Sequence, residues 1–138
     1  VTEHLTMASD SNQLASKILE EWPSVVIEKG VFKYVLIEAY ATDPDSDTEH
    51  SKLLVRGNVS AEYHADVYEH EEEILRAKAN GLDCQCLGGG RILHEPERQY
   101  IKVYGYSVGY GKADHTKSVE LLKKHYPSYE IEWSDDGY

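Results

Sequence analysis

The sequence has little positive charge and no long apolar run, and each shortage excludes a class of protein. Its 138 residues carry 25 acidic side chains against 14 Lys and Arg, for a formal net charge of −11. Nucleic acids are held by basic stripes, so this balance argues against a nucleic-acid binder. No stretch is apolar for the ~20 residues that a membrane helix needs, and the N-terminus lacks the basic and then apolar order of a signal peptide. We therefore expect a cytoplasmic protein that does not enter a membrane.

Sulfur is also scarce, because Cys84 and Cys86 are the only cysteines of the sequence. Two thiols are too few for a structural zinc site, and their spacing differs from that of a thioredoxin-like pair. The spacing from either cysteine to Arg91 also differs from that of a cysteine phosphatase loop. We expect both cysteines to be reduced and to face the core.

The histidines do not follow a metal-binding pattern. His64 and His70 are six positions apart, and the His-Glu-x-x-His spacing of zinc proteases is absent. The acidic run Glu69–Glu73 around His70 is interpreted as the solvated face of a helix. The sequence therefore shows no ligand cluster for a metal ion.

The length suits one domain with a sizeable core. Residues 1–29 are predicted to be an N-terminal extension. In it Leu14, Ile18 and Trp22 recur every fourth position, which predicts a short amphipathic helix over Ser11–Trp22 that Pro23 ends. Residues 30–138 are predicted to form the domain itself.

Hydrophobic periodicity and turn signals predict five strands and two further helices in residues 30–138. One helix begins at His64, presents Val67, Ile74 and Ala77 to the core and stops near Gly81. The other follows Asp114 and ends before Pro127. The predicted strands are Gly30–Ala41, Lys52–Arg56, Cys84–His94, Gln99–Tyr106 and Tyr129–Trp133.

His64 lies where a strand-like run gives way to a helix. Unpaired backbone N–H groups in a first helical turn disfavour imidazolium, so His64 is biased toward the neutral form that attacks or accepts a proton. The dipole supplies only ~0.3–1 kcal/mol, so a larger depression of the pKa needs neighbouring cations. An exposed or capping histidine would occupy the same position, and both roles stay open.

Two further features have an anion-binding and a structural interpretation. Lys33 is the one charge on a strand face that it shares with Val31, Val35 and Ile37, so it either reaches water at the strand end or binds an anion. The loop Gly105–Gly111 joins a strand to a helix, where backbone N–H groups and the Ser107 hydroxyl are able to cradle a phosphate. It matches neither the Walker nor the Rossmann spacing, and a tight turn without a ligand is the alternative.

From Gly30 onward these stretches together resemble the small phosphohistidine phosphatase family, also known as the janus family. The resemblance implies one α+β domain, a mixed β-sheet flanked by two main α-helices, with the N-terminal helical extension outside the family pattern, and usually a monomer. The matching motifs, in chain order, are Val31–Ile37, Val55–Gly57, Ala61–Tyr68, Cys84–Ile92, Val103–Ser107, Tyr110–Gly111, Tyr126–Pro127 and Asp136–Tyr138.

The resemblance also implies roles for single residues. The family's catalytic histidine falls on His64 and its substrate-binding lysine on Lys33. The other implied pocket positions are Arg56, Arg91, His94, Ser107, Val108 and Gly109.

The implied activity is hydrolysis of the P–N bond of phosphohistidine in proteins, without metal or cofactor. His64 would act as the nucleophile or as a general base. An adaptor module that binds phosphohistidine-containing proteins without turning them over is the alternative.

Overall fold

The fold is described from a computed structural model of the chain, for residues 14–44 and 48–135. Within these ranges the chain forms three α-helices and six β-strands. The helices are α1 (Ala15–Glu21), α2 (His64–Lys78) and α3 (His115–His125). The strands are β1 (Val25–Val26), β2 (Gly30–Thr42), β3 (Glu49–Asn58), β4 (Leu82–Glu95), β5 (Tyr100–Tyr104) and β6 (Glu130–Trp133), with a 3-10 turn at Pro96–Arg98 between β4 and β5.

The six strands form one mixed sheet in the order β1-β3-β2-β4-β5-β6. The long central strands β3, β2, β4 and β5 pair antiparallel, while β1 pairs with β3 and β6 with β5 in parallel. With helices packed on both faces of this sheet, the expected α+β fold is confirmed. No helix within the described residues is long and apolar enough to span a membrane.

Alternation along β2 divides the core between the two faces of the sheet. Val35 and Ile37 pack with α1 and α2 in one hydrophobic cluster. Tyr34 and Leu36 point the other way and pack with α3 in a second cluster. This is the alternation that the sequence predicted, and it puts Lys33 at the end of the face that carries α2.

The described part of the N-terminal segment belongs to this core. Helix α1 is shorter than predicted, and Ser11–Gln13 lie outside the described residues. Leu14 is 51% exposed, whereas Ala15 and Leu19 are buried against the first cluster. Strand β1, which sequence reasoning missed because it is only two residues long, extends the edge of the sheet beside β3.

The buried face of α2 also differs from the prediction. Val67 and Leu75 are buried, but Ile74 is 41% exposed, and Ala77 is exposed as well. The buried row runs through Glu71, four residues from Val67 and from Leu75, and sequence reasoning had assigned this carboxylate to solvent.

The acidic run is therefore not wholly solvated. Glu71 is only 4% exposed, and its carboxylate pairs with Arg56 at 2.9 Å. Burial of a carboxylate costs less when a cation compensates its charge, which explains why an acidic residue lies in the core row. Glu69 and Glu73 are exposed, as expected.

Candidate active site

His64 is the first residue of α2, directly after the N-cap Tyr63. The backbone N–H of Tyr63 donates to the Asp66 carboxylate at 2.8 Å, and the N–H of Asp66 donates to the Tyr63 carbonyl at 3.0 Å. These bonds fix the start of the helix, and with it the position of His64.

The His64 ring is held in one tautomer by β4. It is buried, and Nε2 lies 2.8 Å from the carbonyl oxygen of Gly90. A carbonyl only accepts, so Nε2 must carry a proton. In the neutral ring the lone pair is then on Nδ1, which is the nitrogen left for chemistry.

Glycines in β4 permit this close approach. A Cβ atom on Gly89 would lie 2.7 Å from Cδ2 of His64 and 3.2 Å from Cβ of Ser107. On the opposite face, a Cβ on Gly90 would lie 2.8 Å from Cε1 of His115. The glycine run therefore lets side chains pack directly against both faces of the strand.

The environment of His64 favours its neutral form. Burial is the largest cause of its lowered pKa, and the positive charges of Lys33 and Arg91 lower it further, while the bond to the Gly90 carbonyl opposes them. From the sequence, the helix dipole and neighbouring cations are the expected causes of a lowered His64 pKa. The structure supplies the cations and adds burial as the leading cause.

Lys33 and Arg91 are directly opposite each other on β2 and β4, and both line a cleft of about 680 Å³ with His64. Within the described residues Lys33 makes no salt bridge. Two cations beside a neutral histidine form a site suited to an anion.

The loop after β5 forms the opposite wall of the cleft through Ser107, Val108 and Gly109. It is closed by reciprocal backbone bonds between Ser107 and Gly111 at 3.1 and 2.8 Å, and the Gly111 carbonyl accepts from Gly89 at 2.9 Å. Gly111 has a φ of +84°, which favours glycine.

Two backbone N–H groups of this loop are available to a ligand. The Ser107 hydroxyl accepts from the N–H of Tyr110 at 3.1 Å. Across the described ranges, the N–H groups of Val108 and Gly109 make no hydrogen bond, and both residues are exposed at the cleft. Backbone N–H groups in a loop that leads into a helix are able to bind the oxygens of phosphate.

A buried network that sequence reasoning missed supports this loop from the other face of the sheet. Nε2 of His115 donates to the Gly105 carbonyl at 2.9 Å, so its Nδ1 accepts from the Tyr34 hydroxyl at 2.6 Å. The Ser118 hydroxyl, 2.9 Å away, then donates to the Tyr34 oxygen. Burial lowers the pKa of His115 and raises that of Tyr34. His115 follows an ordinary helix cap and its partner is 81 residues away, so the sequence carried no signal for it.

The structure does not bring Arg56 into the cleft. Its guanidinium is buried under α2, where it donates to Glu71 and to the Pro23 carbonyl at 2.6 Å. It therefore connects β3, α2 and the N-terminal segment, and does not occupy the position beside the phosphate loop that the resemblance implied.

The structure does not bring His94 there either. Nδ1 of His94 donates to the Glu28 carbonyl at 2.7 Å, and its Nε2 lies 3.2 Å from the Tyr129 hydroxyl. The ring packs against Tyr126 and Tyr129, with centroids 5.2 and 5.5 Å away. His94 is thus part of an aromatic cluster on the face that carries α3.

Both cysteines are free thiols at the first hydrophobic cluster, as expected. Burial raises the pKa of Cys84, and it raises the pKa of Cys86 to about 11. Neither thiol is therefore a thiolate nucleophile at neutral pH.

Glu72, Asp83 and Cys84 bring three potential ligand atoms within 4.8 Å of one another. Arg76 pairs with both carboxylates, at 3.2 Å to Glu72 and 2.8 Å to Asp83. Both carboxylates of this group are therefore already engaged by an arginine.

The chain is similar to known proteins over most of its length. Residues 19–130 match the model of the Janus/Ocnus family, a match that begins inside α1. The chain is 49% identical over 128 residues to the sex-regulated protein janus-A of Drosophila pseudoobscura pseudoobscura, which covers 92% of this chain and 85% of that protein. It is also 48% identical to the 14 kDa phosphohistidine phosphatases of Sus scrofa, over 90% of this chain and 98% of the relative, and of Homo sapiens, over 84% and 93%. The chain belongs to the Janus/Ocnus family.

Proposed function

We propose that this protein is a phosphatase that hydrolyses the P–N bond of phosphohistidine in other proteins. The observation that carries the proposal is the His64 ring, which is held through Nε2 by the Gly90 carbonyl beside an anion-binding cleft. Its relatives named 14 kDa phosphohistidine phosphatase support the same activity.

The phosphoryl group binds between the two walls of the cleft. Lys33 and Arg91 contact its oxygens from the sheet, and the N–H groups of Val108 and Gly109 contact them from the loop. The Ser107 hydroxyl completes this cradle. Because these donors are fixed by the fold before the substrate arrives, they stabilise charge at phosphorus without reorganisation.

His64 acts through Nδ1 in one of two ways. As nucleophile, its lone pair attacks phosphorus while the P–N bond breaks and the protonated imidazole of the substrate leaves. Water then hydrolyses phospho-His64 to inorganic phosphate and the free ring. As general base, Nδ1 instead takes a proton from the water that attacks phosphorus, while the P–N bond breaks and the protonated imidazole of the substrate leaves.

Phosphate release under chelation tests the proposal. Wild-type protein should release inorganic phosphate from a phosphohistidine peptide faster than the peptide decays alone, with the same rate in EDTA, since His64 and the cations do the chemistry without metal. Loss of turnover in EDTA that a divalent ion restores would contradict the metal-independent mechanism.

A phosphohistidine-binding adaptor is the second candidate, because the same cations and loop would hold the modified residue without turnover. Binding of the peptide with no phosphate release above the uncatalysed rate would favour the adaptor over the enzyme.

A further inference from the structure

At the cleft, one face of the sheet carries two neighbouring rows of side chains, one inside the cleft and one beside it. Lys33, Arg91 and Tyr104 are directly opposite one another across β2, β4 and β5 and form the inner row. The next row on the same face consists of Val31, Leu93 and Lys102, and is called the outer row. The inner row supplies the two cations of the cleft, so the outer row borders the place where the phosphoryl group binds.

The outer row presents apolar surface to solvent. Val31 is 49% exposed, and Leu93 and Lys102 are partly exposed. On the opposite face of the same strands, Phe32 and Ile92 are buried in the cluster with α3. At this end of the strands, therefore, one face is covered and the other is open.

The charge of Lys102 is directed toward the inner row. Its ammonium lies 5.7 Å from the centre of the Tyr104 ring, in the geometry of a cation–π contact. The surface left at the outer row is then made by Val31, Leu93 and the aliphatic stem of Lys102.

Strand spacing relates the outer row to a bound substrate. Side chains on one face of an extended chain repeat about every 7 Å. When the phosphohistidine ring of an extended segment lies at the inner row, the side chain two residues away falls on the outer row. The cleft and the outer row therefore fit consecutive same-face side chains of one polypeptide.

We infer that the outer row is a docking surface for the substrate polypeptide, and that it selects an apolar side chain two residues from phosphohistidine. This inference rests on the proposed function for the identity of the residue in the cleft. It makes substrate choice depend on Val31 and Leu93, which take no part in the chemistry.

Peptides with a non-hydrolysable phosphonate mimic of phosphohistidine test the inference by fluorescence anisotropy. One peptide carries Leu two positions before the mimic, a second carries it two positions after, and a third carries Ser at both. The readout is the ratio of Kd values for the Ser and Leu peptides, which cancels any change in phosphoryl binding. We expect wild-type protein to bind one Leu peptide about 10-fold more tightly than the Ser peptide.

Variants locate the preference on the sheet. Val31→Ser and Leu93→Ser should reduce the ratio to about 2-fold or less. Serine is chosen because a charged residue would perturb Lys33 and Arg91. Val26→Ser is the matched control, since Val26 is a strand valine with nearly the same exposure, 50%, on the edge strand β1 and away from the outer row. It should keep the wild-type ratio.

The remaining outcomes either overturn the docking surface or distinguish its failure from a failure of the proposed function. Equal Kd values for the three peptides, or the same ratio in Val31→Ser as in wild type, would overturn it. Size-exclusion chromatography that shows a dimer abolished by Val31→Ser would assign the outer row to a second copy of this chain. A Val31-dependent preference without phosphate release from hydrolysable peptides would keep the docking surface and contradict the phosphatase.

Discussion

The imidazole of His64 lies so close to Gly89 that a single added Cβ atom would come within 2.7 Å of its Cδ2. The same Cβ would lie 2.8 Å from the backbone carbonyl oxygen of Tyr34, which has no freedom to move away. The position of the proposed catalytic ring thus depends on the absence of a side chain on the neighbouring strand.

Gly89→Ala should therefore displace His64 and lower kcat by about 10²-fold or more, as expected when a general acid–base group is misplaced. NMR should show shifted His64 ring signals in this variant. Gly109→Ala offers the comparison, because its Cβ would meet no atom within 4 Å, and it should leave the His64 ring signals as in wild type. Unchanged His64 signals and kcat in a folded Gly89→Ala protein would contradict the packing argument.

Replacement of Lys33 should change both substrate binding and the titration of His64. Lys33→Met removes a positive charge that lowers the pKa of His64, so that pKa should rise. The KM should rise at least as clearly as kcat falls, because Lys33 holds phosphoryl oxygens in the ground state as well.

An NMR titration of the His64 ring and steady-state kinetics measure the two effects of Lys33→Met. Lys117→Met removes an exposed lysine on α3 and should leave the His64 titration as in wild type. A His64 pKa that falls in Lys33→Met would show that the lysine does not act on the ring.

Trp22→Phe should lower stability while sparing the cleft. The indole Nε1 donates to the buried Glu71 carboxylate at 2.7 Å, and a hydrogen bond to a charged group contributes about 1.5–3 kcal/mol. Urea denaturation should show this loss, with kcat/KM within about twofold of wild type in the folded protein, since Trp22 does not line the cleft. Trp133→Phe, at an indole that is 42% exposed, should cost less stability, and equal losses in the two variants would contradict the assignment.

Acidification should destabilise the fold through His115. Burial lowers the pKa of His115 below the ordinary value of 6.5, so the unfolded state binds its proton first as the pH falls. The stabilisation is complete above pH 6.5 and is lost as the pH falls below it, with a slope of up to about 1.4 kcal/mol per pH unit. Denaturation of wild type and His115→Phe at several pH values measures this.

His115→Phe should be less stable at neutral pH, because Tyr34 and the Gly105 carbonyl lose their partner, yet its stability should fall less steeply than that of wild type as the pH drops below 6.5. The same slope in both proteins would contradict a titrating His115. If the variant does not fold, NMR titration of His115 in wild type decides whether its pKa lies below 6.5.

The parts of the fold that the sequence predicted are those with local signals. Strict alternation marked β2 and both of its faces, and Asp114 marked the start of α3, where it accepts from Thr116. The parts that it missed depend on pairing across the chain. Glu71 is buried where Arg56, fifteen residues earlier, and Trp22 both donate to its carboxylate, and no local pattern distinguishes it from its solvated neighbours.

The candidate site shows the same division. His64 and Lys33 carried motifs and structural contexts that the sequence displayed. Arg56 carried a motif too, but its guanidinium is held by Glu71 and Pro23 rather than by the cleft. The tautomer of His64 depends on the Gly90 carbonyl 26 residues away, which only the folded chain brings to it.

The role of His64 in the chemistry is tested by comparing phosphate release from a phosphohistidine peptide by wild type and by His64→Ala near neutral pH. Circular dichroism and binding of inorganic phosphate establish that the variant is folded and keeps its cleft. We expect kcat to fall by ~10²–10⁴-fold or more in the variant, with phosphate binding retained. A folded His64→Ala protein that keeps near-normal turnover would contradict this role of His64.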